Sequence, residues 1–306
     1  MSKNLRASFC AVLAAFLWGS AFIAQELGAG SVDSFTFCAT RSWIGAAVLL
    51  LISFLFRKHF TVPTEQRRTY KRDLLWGGIA CGIAMSIASN LQQAGIAAGT
   101  SSGKAGFITS LYVVLVPIFG LFCKRRAPWI VWIGTVIAVV GLYLLCIDET
   151  LRIQGGDIFV LICAVFFALQ ILLIDRLPHI HGIHLCCVQL LVVAVTSTVL
   201  ALLFEHPSPN VILGAFWPIL YCGVFSSAFA YTLQIIAQQG SNPTVITLLL
   251  CLESVFAVLC AALFVIVFPG SPLDGTLTTR EWLGCGLMFL AVTLANLPVR
   301  PLKKKN

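Results

Sequence analysis

The sequence predicts an all-α polytopic membrane protein with ten transmembrane helices arranged as two inverted five-helix repeats. Composition, the lengths of the apolar stretches and the placement of charge carry that prediction. Of 306 residues, 59% are hydrophobic and only 10% charged, against about 25% charged in a typical soluble domain. There is too little polar surface to coat a soluble globule. The apolar residues fall in ten blocks at about 8–27, 34–56, 74–96, 103–123, 128–147, 157–174, 184–204, 215–237, 244–267 and 281–298, each near the length that crosses a bilayer. Only helices and closed barrels span lipid, because unpaired backbone groups are too costly there. Long continuous runs of Leu, Ala, Val and Phe exclude the short alternating segments of a barrel. The connections are too short to hold a soluble domain.

Charge gives an independent check. Lys3, Arg6, Arg57, Lys58, Arg67, Arg68, Lys71, Arg72, Lys124, Arg125, Arg126, Arg176, Arg300, Lys303, Lys304 and Lys305 all fall on one side of the predicted layer, 16 of the 20 Lys and Arg. The opposite loops hold Arg152 and Arg280, and most of the acids: Asp33, Asp148, Glu149, Asp157, Glu205, Asp274 and Glu281. Positive loops stay in the cytoplasm, so both termini are expected there, in a multi-pass protein of a bacterial inner (plasma) membrane. That arrangement requires an even number of crossings. It also accounts for the net charge of +8 without a nucleic-acid partner. The first stretch is read as helix one and not as a cleaved signal, since it exceeds a signal core and nine more follow.

Taken in order, the spans differ in what they carry. Span one presents Trp18, Phe22 and Gln25 on one face, and span two carries Arg41, read as an outer anchor or a partner of Glu26. Span three has Gly78 and Gly82 at the spacing that lets helices approach, and a polar stripe of Ser86, Asn90 and Gln93. Span four offers Thr109 and Tyr112, and Pro117, which should kink it; Lys104 is placed at its outer rim. Span six contributes Gln170. His179, His181 and His184 follow it near Asp175, a group better read as a solvated loop than as a metal site. Adjacent Cys186 and Cys187 lie in span seven, and no CxxC pair occurs among the twelve cysteines, which read as small packing residues. Span eight carries Ser227, Tyr231, Gln234 and Gln238 along one face. Asn242 and Pro243 cap and open span nine, and Glu253 lies about ten residues into it. A carboxylate at that depth requires a cation or a proton.

The halves resemble one another. Trp132-Ile133-Gly134 opens span five and Trp282-Leu283-Gly284 opens span ten. Leu91-Gln92 before Gly99-Thr100-Ser101 parallels Leu233-Gln234 before Gly240-Ser241-Asn242, and Val116-Pro117-Ile118-Phe119 parallels Glu253-Ser254-Val255-Phe256. The domains are therefore 1–148 and 155–300. An odd number of spans in each forces the second to insert upside down. Inverted repeats place a substrate site near the midplane of secondary transporters, and the polar stripes of spans three and eight are expected to face each other across it.

These residues also carry a family resemblance. Trp18-Gly19-Ser20-Ala21-Phe22-Ile23-Ala24-Gln25, Arg41, Gly103-Lys104-Ala105-Gly106-Phe107-Ile108, Leu111 through Pro117, Asn242-Pro243-Thr244 and Leu252-Glu253-Ser254 together resemble EamA-type members of the drug/metabolite transporter superfamily. The resemblance spans the whole chain and implies ten helices in two inverted repeats, a central cavity, and export of metabolites or drugs. Ser254 stands where family members often carry proline.

The expected function is secondary active or facilitative transport, exporting a small amino acid-like or drug-like metabolite by alternating access. Trp18, Phe22, Gln25, Asn90, Gln93, Tyr112, Gln170, Tyr231, Gln234, Gln238 and Glu253 are the expected cavity residues, with Glu253 the coupling candidate and protons the candidate coupling ion. The partners are the solute and the bilayer, and the chain acts as a monomer or homodimer. No metal, cofactor or catalysis is expected, and no GxxxxGK[ST] loop for ATP occurs in the sequence. Two other readings are a lipid or lipid-linked-sugar flippase, which calls for a cation-rich cavity, and a membrane-embedded lipid-modifying enzyme. The enzyme calls for paired carboxylates or a nucleophile with its base at common depth. The charge pattern predicts that a fluorescent protein fused after Asn306 fluoresces in the cytoplasm, and that a phosphatase active only outside is active when fused at Glu205. The opposite pair of results would invert the topology.

Overall fold

The structure, a computed structural model, describes residues 3–60, 63–100, 102–122, 128–146, 154–239, 241–268 and 277–295. Lys124, Arg125, Arg126, Asp148, Glu149, Arg152, Asp274, Arg300 and Lys303 to Lys305 lie outside the described residues, as do Gly240 and most of the expected insertion after Phe268. The described residues are helical almost throughout. The long helices are α1 (Lys3–Ala29), α2 (Ser34–Leu55), α3 (Arg67–Ala97), α4 (Lys104–Phe122), α5 (Trp129–Cys146), α6 (Gly155–Ile174), α7 (Gly182–Phe204), α8 (Phe216–Gln238), α9 (Pro243–Val267) and α10 (Thr279–Ala295). Among the described residues, eight are long and apolar enough to cross a membrane; α5 and α10 are the shorter two.

The chain ends its helices where local chemistry requires. Gly99, at φ +97°, terminates α3 in a left-handed turn that a Cβ would strain. Thr100 N–H reaches back to Gly95 O at 3.1 Å and Gly99 N–H to Ile96 O at 3.0 Å, the pairing that satisfies the last carbonyls of a helix. Asn242 Oδ1 accepts from Thr244 N–H at 3.0 Å with Pro243 following, so α9 starts as its sequence requires. Gln154 and Asp157 form a reciprocal cap at the start of α6.

Sidedness is that of a protein solvated by lipid. Leu51, Phe54, Trp76, Leu121, Val136, Leu202, Leu263 and Ile266 point outward. Polar and small residues, among them Gln93, Gln170, Ser197, Thr247 and many alanines, are buried between helices. Inside a bilayer, tight packing and interhelical hydrogen bonds replace the hydrophobic drive between helices. Gly78 and Gly82 serve that packing. A Cβ on Gly78 would lie 2.7 Å from Val188 Cγ1, and one on Gly82 the same distance from Val192 Cβ, so these glycines let α3 lie directly against α7.

The packing partners are symmetric under exchange of the first five helices with the last five. α2 lies along α7, α5 along α10, and α4 meets α9, each joining counterparts. The remaining large contacts come in matched pairs: α3 with α6 and α8 with α1, α3 with α7 and α8 with α2, α4 with α6 and α9 with α1. The halves therefore interlock and do not sit side by side.

One expectation changes here. The α3 stripe does not face α8 across an opening. Asn90 donates to Ser197 Oγ at 2.8 Å and accepts from it at 3.0 Å, and Ser86 bonds Thr196 at 2.5 Å, so the stripe is spent on α7. Helical spacing shows which residues share a face but not which neighbour that face meets. Because Asn90 and Ser197 satisfy each other in a buried setting, a double-mutant cycle of Asn90→Ala and Ser197→Ala, read by unfolding in detergent, should give a coupling of about 0.6 kcal/mol and at most about 1.7 kcal/mol. Additive losses would show that the pair contributes nothing.

Candidate functional site

Two helices are interrupted at the centre of the bundle, and the site is built around the interruptions. α4 breaks at Leu111 between the segments Ser102–Ser110 and Tyr112–Phe122. α9 breaks at Cys251 between Pro243–Leu250 and Leu252–Val267. At each, i→i−3 bonds replace the regular ladder: Leu111 N–H to Ile108 O at 3.2 Å, and Ser254 N–H to Cys251 O at 3.3 Å. Pro117 lies within the second segment of α4, six positions beyond its break, and α9 breaks with no proline inside it. The two breaks touch. Cys251 Sγ lies 3.8 Å from Ser110 O, Ser110 Oγ donates to Glu253 Oε1 at 3.4 Å, and Ser110 and Ser254 hydroxyls are 3.5 Å apart.

Glu253 sits in the first turn of the second α9 segment and is 5% exposed. No Lys, Arg or His among the described residues forms an ion pair with it. α1 is held against this point by Gly19, whose Cβ, if present, would fall 2.6 Å from Glu253 O and 2.7 Å from Ala257 N. The sequence reading passed over Gly19 as part of a motif; its role is to let α1 reach the break in α9.

The cavity beside Glu253 measures about 50 Å³ and is lined by residues of α1, α2, α3, α4, α6, α8 and α9. That volume holds a few water molecules and is too small for a metabolite. Of the expected residues, Trp18, Phe22, Gln25, Tyr112, Tyr231, Gln234 and Glu253 line it. Trp18 closes one wall, donating Nε1–H to Ser226 O at 3.3 Å and meeting Tyr231 edge-on with ring centres 4.9 Å apart.

Asn90, Gln93, Gln170 and Gln238 do not line the cavity. Asn90 is committed to Ser197, and Gln93 and Gln238 are buried elsewhere with both amide atoms unpaired among the described residues. Gln170 acts one step back. It donates to Gln189 Oε1 at 2.8 Å and accepts from Gln234 Nε2 at 3.5 Å, which leaves Gln234 Oε1 without a partner. Cys222–Ala230 of α8 winds as a π-helix, which changes the register before Tyr231, and Ser226 rather than Ser227 lines the cavity. Such turns concentrate at functional sites.

The sequence reading did not pick out Gln92, Phe167, Ile171, Ser226 and Leu250 as lining residues. Gln92 donates to Thr109 at 2.9 Å and ties α3 to α4. Its neighbour Gln93 was chosen because it continues the spacing from Asn90, and it does not line the cavity. Arg41 is a clear correction. It neither reaches the outer surface nor pairs with Glu26; it is buried and turns into the cavity beside Gln25. Lys104, placed at the outer rim, pairs with Asp157 at 2.5 Å, with Thr100 donating to the same carboxylate at 3.0 Å.

His181 and His184 meet edge-on with ring centres 5.7 Å apart, and His179 turns away to another partner. His184 Nδ1 lies 2.7 Å from Tyr70 OH, and His179 Nε2 lies 3.1 Å from Asp73. Among the described residues no group of three or more His, Cys, Asp or Glu is placed to hold a metal.

Comparison with known proteins agrees with this architecture. The model of the EamA-like transporter family matches twice, at residues 5–147 and 154–297. An uncharacterized transporter of Archaeoglobus fulgidus is 29% identical over 304 residues, covering 97% of this chain and 88% of its own. The uncharacterized inner membrane transporter YedA of Escherichia coli is 23% identical over 303 residues, covering 96% of this chain and 92% of its own. A solved crystal structure shares the fold at a TM-score of 0.73 and 19% identity, covering 95% of this chain and 96% of that one.

The contact at Gly19 yields a stability test. Gly19→Leu should cost about 1–3 kcal/mol through overpacking and lower the unfolding midpoint in detergent. Gly30→Ala, which meets nothing within 4 Å, should leave it unchanged. Equal midpoints for Gly19→Leu and wild type would mean that α1 and α9 are not in contact there.

Proposed function

Since the chain belongs to the EamA-like transporter family, we propose that it is a secondary transporter that exports a small organic metabolite, amino acid-like or drug-like, through the cavity beside Glu253. It is a multi-pass membrane protein, and its curated relatives are named as transporters, one of them of an inner membrane. In this reading the chain crosses the membrane ten times as two inverted five-helix repeats with both termini in the cytoplasm. The exchange symmetry of the helix contacts supports the repeats.

The observation that carries the mechanism is the meeting of two broken helices at a buried, unpaired carboxylate. Interrupted helices are tolerated at membrane depth only where their freed groups are buried or line a cavity, and transporters place solute and ion sites at such breaks. Glu253 has one weak hydrogen bond, from Ser110. It takes either a proton or a cationic group of the solute, and the two compete for it. The Tyr112 hydroxyl, which adjoins the Glu253 carboxylate, and the unpartnered Gln234 Oε1 offer the adjacent polar contacts. With about 50 Å³ available, the cavity is closed around its site. Loading and release then require the helices to part on one side at a time. Trp18, Tyr231 and Phe22 form the walls that must move.

Purified protein in proteoliposomes should support solute flux that responds to an imposed proton gradient, with cell metabolites that accumulate when the protein is absent supplying the solutes to test. Glu253→Gln should fold normally and lose that flux. Normal flux in Glu253→Gln removes Glu253 from the mechanism, and absence of flux for every accumulated metabolite in wild type counts against transport itself.

A further inference from the structure

We propose that Arg41, with Gln25, forms an anion subsite on the part of the cavity wall that α1 and α2 supply, so that the transported solute carries a carboxylate or a comparable singly charged oxyanion. This rests on the transport reading and names the solute group that the same cavity selects.

Arg41 is 5% exposed and lies on α2, eight residues from the start of the helix, yet it lines the cavity. A guanidinium has five N–H donors and stays charged. Here they are poorly used. Nη1 lies 3.5 Å from Gln25 Oε1, Nη2 lies 3.8 Å from Cys38 Sγ, and Nε has no partner. The Phe37 ring is 5.9 Å away. Charge-assisted bonds to carboxylates run at about 2.7–2.9 Å, so none of these contacts satisfies the charge. No described carboxylate forms an ion pair with it.

The acids near enough to matter are occupied or face elsewhere. Glu205 spends both oxygens at the start of α2, accepting from Phe35 N–H at 2.7 Å, from Thr36 N–H at 2.8 Å and from the Thr36 hydroxyl at 2.7 Å. Glu26 is exposed. Glu253, on α9, forms no ion pair with Arg41 and accepts from Ser110.

A charged side chain held at membrane depth without a counter-charge is costly and marks a solute path. Gln25 adds the discriminating feature. Its carbonyl is turned to the guanidinium, which leaves the amide N–H₂ free to serve a second oxygen of the same anion. Arg41 and Gln25 then form a two-donor cradle, while Glu253 and Gln234 Oε1 present acceptors elsewhere on the wall. A solute with an anionic group at one end and a donor at the other satisfies both sets. A bare cation satisfies only one and meets the Arg41 charge.

The test uses full-length protein in detergent, at fixed chloride, and matched probe pairs: small monocarboxylates and L-amino acids, each against its own amide. Binding is read by the shift of the unfolding midpoint with probe concentration. Wild type should bind the carboxylate member of at least one pair about tenfold or more tighter than its amide. In Arg41→Gln the preference should fall to near unity, and Arg41→Lys should keep part of it. If Arg41→Gln does not fold, the wild-type ratio and Arg41→Lys decide. Equal binding of acid and amide, no carboxylate binding by wild type, or an unchanged preference in the folded variant overturns the subsite. Carboxylate binding without flux would keep the subsite and overturn transport; equal flux of acid and amide would do the reverse.

Discussion

In hydrocarbon, a polar group without a partner costs several kcal/mol, because no water is present to replace the missing bond. The interruptions at Leu111 and Cys251 are governed by that cost. Each replaces regular helical bonds by tighter ones, and each is placed against the other, with Ser110 of one bonded to Glu253 and within reach of Ser254 of the other. Two in contact share a small polar volume, and the cavity is that volume. The hydroxyl of Tyr112, the free oxygen of Gln234 and the free Nε of Arg41 all border it.

Holding the breaks together requires close helix contact, and the halves supply it by interlocking. α1 of the first half lies on α8 and α9 of the second, and α6 of the second lies on α3 and α4 of the first. A movement of one half relative to the other therefore moves both walls of the cavity. Gly19 fixes α1 at the point where such motion acts on Glu253, since nothing larger fits beside the Glu253 carbonyl. Across the outer contacts, Lys104 with Asp157 and Glu205 with the start of α2 join the halves at one end; Tyr70 with His184 and Asp73 with His179 join them at the other. Release at one end while the other holds is the alternation that the transport reading needs.

Much of this was legible in the chain itself. Apolar stretches located the helices, because lipid leaves the backbone no alternative. Asn242-Pro243 marked a real helix start. Glu253 stood out because an acid at that depth is costly, and Trp18, Phe22, Gln25, Tyr112, Tyr231 and Gln234 do gather near it. What misled was periodicity. Ser86 and Asn90 share a face, but that face is bonded to α7, and no spacing rule names a neighbour. Gln238 follows Gln234 by four within a regular α-helix, yet it lies a turn beyond the cavity, and spacing does not tell where a cavity ends. Arg41 was misjudged for another reason. An arginine some way into a span usually bends back to the surface; here packing around α2 directs it inward, which is a tertiary fact.

The central claim is that the polar volume between the two breaks is reached from both sides of the membrane in turn. Accessibility of Gln234 measures this directly. In a variant without its native cysteines, Gln234→Cys would be exposed to a membrane-impermeant thiol reagent in sealed vesicles of each orientation. The account predicts modification from both sides, with access from one side suppressed when the other is locked open. Modification from one side only, or from neither, would contradict it.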